Sequence, residues 1–480
     1  MKGDFSRDTY DKAKHFSRVL MQQGRVQLDA DWNEQAAILL HYLRTLAADL
    51  IGPFAGPAGP HQGFGIAEDK ITSEDFPISK GRYYVDGILC ENDVADATYR
   101  NQKDFPNPPA IELDRLKSCL VYLDVWERHI TAVEDEYIRE KALGGPDTTS
   151  RTKVVWQVKL QETNNSTREA VFKEWKKIVE HWQPQHLGCL KARVKSSQGS
   201  TDPCLTAPDA KYRGAENQLY RVEIHKGGSE DEATFKWSRD NGAVVTGCKL
   251  EGGTLTVNNP HGFSTGQWVE LTNDGRELRG EPGELVKIMN IEGDKFGLEP
   301  ARTFSFLDKD GLLKVRRWDQ SEKKGVTLID GAVQVTEDTN ENNGWIDLEN
   351  GIQIKFQSHS ETSLYRIGDY WLIPARVATG DIEWFPELAS KPPHGVRHHY
   401  APLAILTHRE GEWSVEECRC SFPTADDKCN LESHGEDGMG GSPSCDANDS
   451  ADNGRAKRAG KSPSPVTKEA RLHKKPSRGK

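Results

Sequence analysis

Long apolar runs are missing from this sequence. No stretch of 18 apolar residues occurs, so no membrane-spanning helix is expected. The opening MKGDFSRDTYDKAKHF lacks the apolar centre of a secretory leader. Synthesis in the cytoplasm is therefore the expectation. Paired cysteines are missing too. Of nine cysteines only Cys418 and Cys420 are near neighbours, and no Cys-x-x-Cys occurs, which leaves a zinc ribbon or a thioredoxin-type centre without support. The thiols read as reduced, with Cys418, Cys420, Cys429 and Cys445 as the group open to oxidation after release from a cell. No Gly-x-x-x-x-Gly-Lys-Ser/Thr, Gly-x-Gly-x-x-Gly or His-Glu-x-x-His appears. Nucleotide binding and zinc hydrolysis thus lack a motif, and no cofactor is expected.

What is present favours β structure. The chain has 480 residues, of which 35% are apolar and 29% charged, a balance that suits several small β modules better than one large core. GRYYVDGILCEN sets Asp86-Gly87 between two β-rich flanks, a strong hairpin signal. CLVYLDVWERHITAVED alternates, with Val121, Leu123 and Val125 on one face. The loop that follows contains Arg139, Asp147 and Arg151, which are expected to join by carboxylate–guanidinium bonds. FKEWKKIVEHW puts Phe172, Trp175, Ile178, Val179 and Trp182 on one helical face. NQLYRVEIH alternates again, and Asn241-Gly242 reads as the turn of a second hairpin. Beside that turn, Ser238, Arg239 and Asp240 read as turn chemistry, because a nucleophilic serine needs a neighbouring base.

The stretch MQQGRVQLDADWNEQ opens like a strand and closes like a helix. A hairpin or bend is expected at Gly24. Asp31 is expected to cap a helix, with Glu34 completing a capping box. Beyond it Trp32, Ala36, Leu39, Leu43, Leu46 and Leu50 recur at spacings 4, 3, 4, 3, 4. That is one apolar stripe of heptad type. Two readings stand: the stripe packs on the chain's own body, or on a partner subunit. Neither is catalytic.

Metal binding has one weak candidate, PPHGVRHHY, with His394, His398 and His399 downstream of Asp381 and Glu383. It follows two prolines in a loop, so structural histidines are the expectation and no metal is assigned.

The expected fold class is mainly β, a multi-module β-sandwich and small-barrel protein. It carries an N-terminal amphipathic helix and a disordered C-terminal tail. Five segments are expected. Residues 1–60 hold a hairpin, the docking helix and a Gly/Pro linker. Residues 61–199 form a first β module with a helix near 171–183. Residues 200–247 and 311–424 form a second. Residues 248–310 are an inserted small barrel. Residues 425–480 are the tail. The tail carries eight acidic residues over 425–453, then ten basic residues and one glutamate over 454–480. Neither block has core-forming residues. Only the basic block could attract nucleic acid: the rest of the chain holds 53 basic against 73 acidic residues.

Long stretches resemble a family of uncharacterised proteins encoded beside phage-tail-like contractile injection systems. They include residues 1–34, RYYVDGILCEN, VYLDVWERHITAVEDEYIREKALGGPDTTSRTKVVWQVKL, YRGAENQLYRVEIHKGG, ATFKWSRDNGAVV, GDYWLIPARVATGDIEW and PPHGVRHHYAPLAIL. HGFSTGQWVEL is similar to small barrels of phage tail proteins. The resemblance implies a non-enzymatic structural protein of the tail or baseplate. Its expected partners are other particle subunits or further copies of itself, and release in extracellular particles is implied. The alternative is a carbohydrate-binding or glycan-degrading accessory protein carried on such a particle.

Overall fold

The strand Ser118–Ile130 is buried on both faces from Ser118 to Trp126, with Val121, Leu123 and Val125 on one face and Leu120, Tyr122 and Asp124 on the other. This strand is the centre of a four-stranded antiparallel sheet in the computed structural model. The order is Glu412–Glu417, His399–Arg409, Ser118–Ile130, Arg151–Glu162. A second four-stranded sheet joins Ser421–Phe422, Phe54–Pro57, Gly81–Val85 and Ile88–Asn92. The two sheets share one apolar core that includes Phe64, Tyr83, Val121, Leu123 and Leu403. Helix α2, Arg168–Trp182, covers the other face of the first sheet through Val171, Phe172, Trp175 and Trp182. The described residues are 1–183, 188–195, 211–299, 311–322, 326–338, 340, 343–358, 364–386 and 389–424. The expected disordered tail, 425–480, lies outside them.

A second sandwich packs a six-stranded sheet on a three-stranded one. The six-stranded order is Leu328–Ile329, Ala332–Gln334, Thr234–Ser238, Gln218–Lys226, Tyr370–Arg376, Asp381–Ile382. The partner sheet is Ile346–Asp347, Ile352–Ser358, Gly188–Val194. Phe235, Phe356, Trp371 and Tyr365 meet edge-on or tilted between them. Six further strands close a small barrel, in the order Thr254–Val257, Lys295–Glu299, Glu284–Glu292, Trp268–Asn273, Leu313–Trp318, Val245–Glu251. The mainly β, sandwich-and-barrel class is therefore present.

Several expected segment limits do not follow the chain's pairing. Leu313–Trp318 closes the barrel rather than returning to the second module. His399–Arg409 pairs with Ser118–Ile130 of the first module, far away in sequence. Gly188–Val194 pairs with Ile352–Ser358, in the second. Phe54–Pro57 pairs in parallel with Ser421–Phe422, so residues 1–60 are not a separate piece. Each strand carries its apolar side chains on a core face, and such a face does not say which distant strand will share it.

The turns divide. Asp86 and Gly87 both take positive φ, 47° and 75°, the geometry of a two-residue hairpin. Asn241 and Gly242 also take positive φ but carry the chain from the six-stranded sheet into the barrel, so no hairpin forms. Near Gly24 the chain turns without flanking strands. The 139–151 loop is held by main-chain acceptors instead of ion pairs: Arg139 donates to the Gly145 carbonyl at 3.1 Å and Arg151 to that of Ser150 at 3.0 Å.

Phe356 is fully buried at the centre of the second sandwich. Replacing it with alanine is expected to cost about 3–5 kcal/mol in denaturant unfolding. A loss below about 1 kcal/mol would contradict this core.

Candidate interaction helix and the charged interior beneath it

Helix α1, Asp29–Ile51, begins two residues earlier than the expected cap. Leu28 is the N-cap, and Asp31, in the third helical position, accepts from its amide at 3.3 Å. Asp31 thus supplies the reach-back half of a capping box rather than the cap itself. Glu34 is taken by the Thr9 hydroxyl at 2.6 Å. Asp29 accepts the Ser6 amide at 2.9 Å. Burial pushes the Asp29 carboxyl up, but these bonds from Ser6 outweigh it and hold it below its usual range. The helix ends at Gly52, whose amide reaches the Ala48 carbonyl at 2.8 Å ahead of Pro53.

One side of α1 faces the body. Ala30 and Ile38 are buried there. Arg44 makes a two-pronged bond with Glu127 at 2.9 and 2.8 Å. The Asp86-Gly87 turn presses on the helix so closely that a Cβ at Gly87 would collide with the Arg44 carbonyl.

The stripe Trp32, Ala36, Leu39, Leu43, Leu46, Leu50 lies on the opposite side. Trp32 is 76% exposed and Leu50 77%. The reading in which it packs on the chain's own body is thus overturned. The a/d spacing located the stripe, while the body binds Arg44 on another side of the helix and Ala30 and Ile38 are buried away from the stripe. An extended arm beside α1 adds Phe16, Leu20 and Met21, also exposed, and the Val19 amide ties the arm to Gln35 at 2.8 Å. Among the described residues, 12 of 24 exposed large apolar side chains fall between Phe16 and Leu50. Scattered apolar residues are ordinary, but a contiguous face marks an interaction site.

Below α1 lies a cavity of about 950 Å³, walled by the helix, both sandwiches and the barrel. Its lining is charged. Arg221 and Glu223, each 3% exposed, point inward from Gln218–Lys226. Arg221 bonds Glu223 at 2.6 Å and lies 3.5 Å over the Tyr370 ring. Lys236 sits between Glu270 at 2.5 Å and Glu223 at 3.4 Å, while Lys2 reaches Glu223 at 3.0 Å. The Trp318 indole donates to Glu270 at 2.9 Å. Burial pushes Glu270 up, but Lys236 and Lys2 outweigh it and hold the carboxyl at about 2. Lys2, Arg221 and Lys236 likewise hold Glu223 well below the usual range against the pull of burial.

A second knot joins the barrel to the first sandwich. Lys314, 0% exposed, bonds Glu134 at 2.7 Å and Glu277 at 2.6 Å. Arg128 donates to the same Glu277 at 2.8 Å and to Asp274 at 2.5 Å. Alternation along YRVEIH, FKW and WVEL in the sequence looks like one apolar and one wet face. The polar face in fact lines the interior. The available signal is charge inside short apolar strands: a lone Lys236 and a lone Glu270, and the opposite-sign pair Arg221 and Glu223 two residues apart on one face.

Three segments of the chain, residues 1–178, 162–280 and 254–479, match a family of unknown function. The chain belongs to that family, DUF6519. No curated protein and no solved structure matches it. The DUF6519 match includes the arm, α1 and both charged knots.

The three histidines are not brought to one point. The His394 ring lies 5.4 Å from that of Tyr370, and its main chain pairs with the same residue. His398 bonds Asp124 at 2.6 Å under Trp126, and Lys159 shares that carboxylate at 2.7 Å. His399 bonds Asp86 at 2.7 Å. Glu383 is taken by Arg7 and Arg376. Among the described residues no group of three or more His, Cys, Asp or Glu is placed to hold a metal ion. Ser238 donates to Asp240 at 2.6 Å and accepts the Gly242 amide at 3.0 Å, which is turn chemistry. GFSTG, residues 262–266, has the spacing of a nucleophile elbow. It links two barrel strands, however, rather than a strand to a helix, and Ser264 is exposed.

The interior makes stability depend on pH. Carboxylates held below their unfolded pKa, near 4.5, stabilise the fold above that value and lose the effect as pH falls through their folded values. Burial also lowers His129 and His225 from 6.5 to about 4, so both must gain protons when the chain unfolds below 6.5. Both effects have the same sign. Melting temperature is expected to fall as pH drops below about 6.5 and to keep falling from about 4.5 toward 2. A profile flat from pH 4.5 to 2 would contradict the buried charge pairing, and one flat from pH 6.5 to 4.5 would contradict the burial of neutral His129 and His225.

Proposed function

We propose that this protein is a non-enzymatic structural component of a phage-tail-like contractile injection particle, associated with the tail or baseplate. It acts through protein–protein contacts, and the outer face of α1 is its docking surface. The observation that carries the reading is the exposure of the stripe from Trp32 to Leu50 on a helix whose other side is anchored by the Arg44–Glu127 pair and the close turn at Gly87. Such a helix is positioned for a partner and left uncovered. The resemblance of residues 1–34 and the later stretches to proteins encoded beside such systems supplies the assembly. The barrel accords with the likeness of HGFSTGQWVEL to tail-protein barrels. No helix among the described residues is long and apolar enough to cross a membrane.

The glycan-degrading alternative draws no support from the cavity. A glycosidase needs one carboxyl held protonated near neutral pH. Glu134, Glu223, Glu270 and Glu277 line the cavity, and cations hold all four below their usual range.

The test is incorporation. Changing Leu39 and Leu43 together to aspartate removes two apolar contacts, each worth about 1.5–3 kcal/mol when buried, and puts charge in the seam. The variant is expected to keep its β-type circular dichroism and to be lost from purified particles by mass spectrometry. Incorporation at the wild-type level would overturn the docking role.

A further inference from the structure

The spacing of the stripe on α1 lets it pair with a second copy of itself in either direction. Its six positions pair about residue 41: Trp32 with Leu50, Ala36 with Leu46, Leu39 with Leu43. An antiparallel two-helix seam stacks these same pairs as its layers, because a positions there face d positions. We propose that the outer face of α1 binds a second copy of this chain, with the two helices antiparallel about a two-fold axis beside residue 41. The proposal rests on the reading of that face as a docking surface and names its partner.

Size favours the antiparallel register over the parallel one. Antiparallel pairing sets the small Ala36 against Leu46 and spreads the two Trp32 rings to opposite ends. Parallel pairing would stack Trp32 on Trp32 and leave a gap at Ala36 on Ala36. Cores fill best when large meets small. The antiparallel register also opposes the helix dipoles. The flanks agree. Leu40 would meet Leu40 and Tyr42 would meet Tyr42, while Gln35 faces Asp49 and Asn33 faces Ala47. No like charges confront each other, and Leu40 and Tyr42 are themselves exposed. A partner chosen by charge would require charged flanks, which are the usual selectors of such seams.

The area suffices. A helix of 23 residues is about 35 Å long, so its outer half presents roughly 550 Å². The arm carrying Phe16, Leu20 and Met21 extends over about seven residues and adds roughly 200 Å². Together they approach the roughly 800 Å² per partner of a stable interface. Two-fold self-pairing is also the commonest form of assembly among soluble proteins.

The experiment uses the full chain. Native mass spectrometry and sedimentation should give a two-chain mass at micromolar concentration. The Leu39→Asp, Leu43→Asp variant should give a one-chain mass while circular dichroism stays that of the folded protein. Under mild oxidation, Ala36→Cys combined with Leu46→Cys should yield a covalent dimer whose linked peptide joins positions 36 and 46. Ala36→Cys alone should not link to itself. A 36–36 link would overturn the antiparallel arrangement. A one-chain mass for the unaltered protein would overturn self-pairing altogether. Loss of the aspartate variant from particles in that case would still support docking on a different subunit, so the two readings fail separately.

Discussion

Charges taken out of water must find partners, and the interior of this protein is arranged around that requirement. Lys236 sits between Glu223 and Glu270, and Lys314 is shared by Glu134 and Glu277. Lys236 pairs with Glu223 on the neighbouring strand of its own sheet and reaches Glu270 in the barrel, while Lys314 of the barrel reaches Glu134 in the first sandwich. Removing one member would strand the others at a cost of about 3–5 kcal/mol. The two knots therefore couple the second sandwich to the barrel and the barrel to the first sandwich. An apolar seam of the same area could slide, whereas a lysine with two carboxylates has one good position. The N-terminal segment joins the arrangement through Lys2 and through Met1, whose carbonyl accepts from Arg221 at 3.1 Å.

That polar interior explains how α1 is carried. The helix is not sunk in an apolar groove. It lies across the cavity, fixed by the Arg44–Glu127 fork and by the close turn at Gly87. Few apolar contacts are needed on its inner side, which leaves the six-residue stripe outward. A helix held mainly by polar bonds at its edges can keep its apolar face for a neighbour. Every histidine singled out in the sequence is occupied by a separate partner.

Much of the local structure was legible in the residues. Val121, Leu123 and Val125 gave away a buried strand, Asp86-Gly87 its hairpin, and Phe172, Trp175 and Trp182 the face of α2. The a/d stripe was legible as a stripe, but not as to which side of α1 it marked. Heptad spacing states that six side chains share a face and says nothing of what covers it. Arg221 and Glu223 misled for a related reason. Alternation separates two faces of a strand, and the sequence does not tell a face turned to water from one turned to a lined cavity.

By itself the sequence determined the mainly β class, the turns that need positive φ, the approximate places of α1 and α2 and the existence of an uncharged apolar stripe. These depend on neighbours within a few residues, where backbone geometry and periodicity act. Only the tertiary structure decided that Leu313–Trp318 closes the barrel, that His399–Arg409 lies beside Ser118–Ile130, that single strand charges meet as buried knots, and that Trp32 to Leu50 face outward. Those outcomes depend on which distant surfaces come together. Burial is a property of the pair of surfaces, and one strand or one helix carries only half of it.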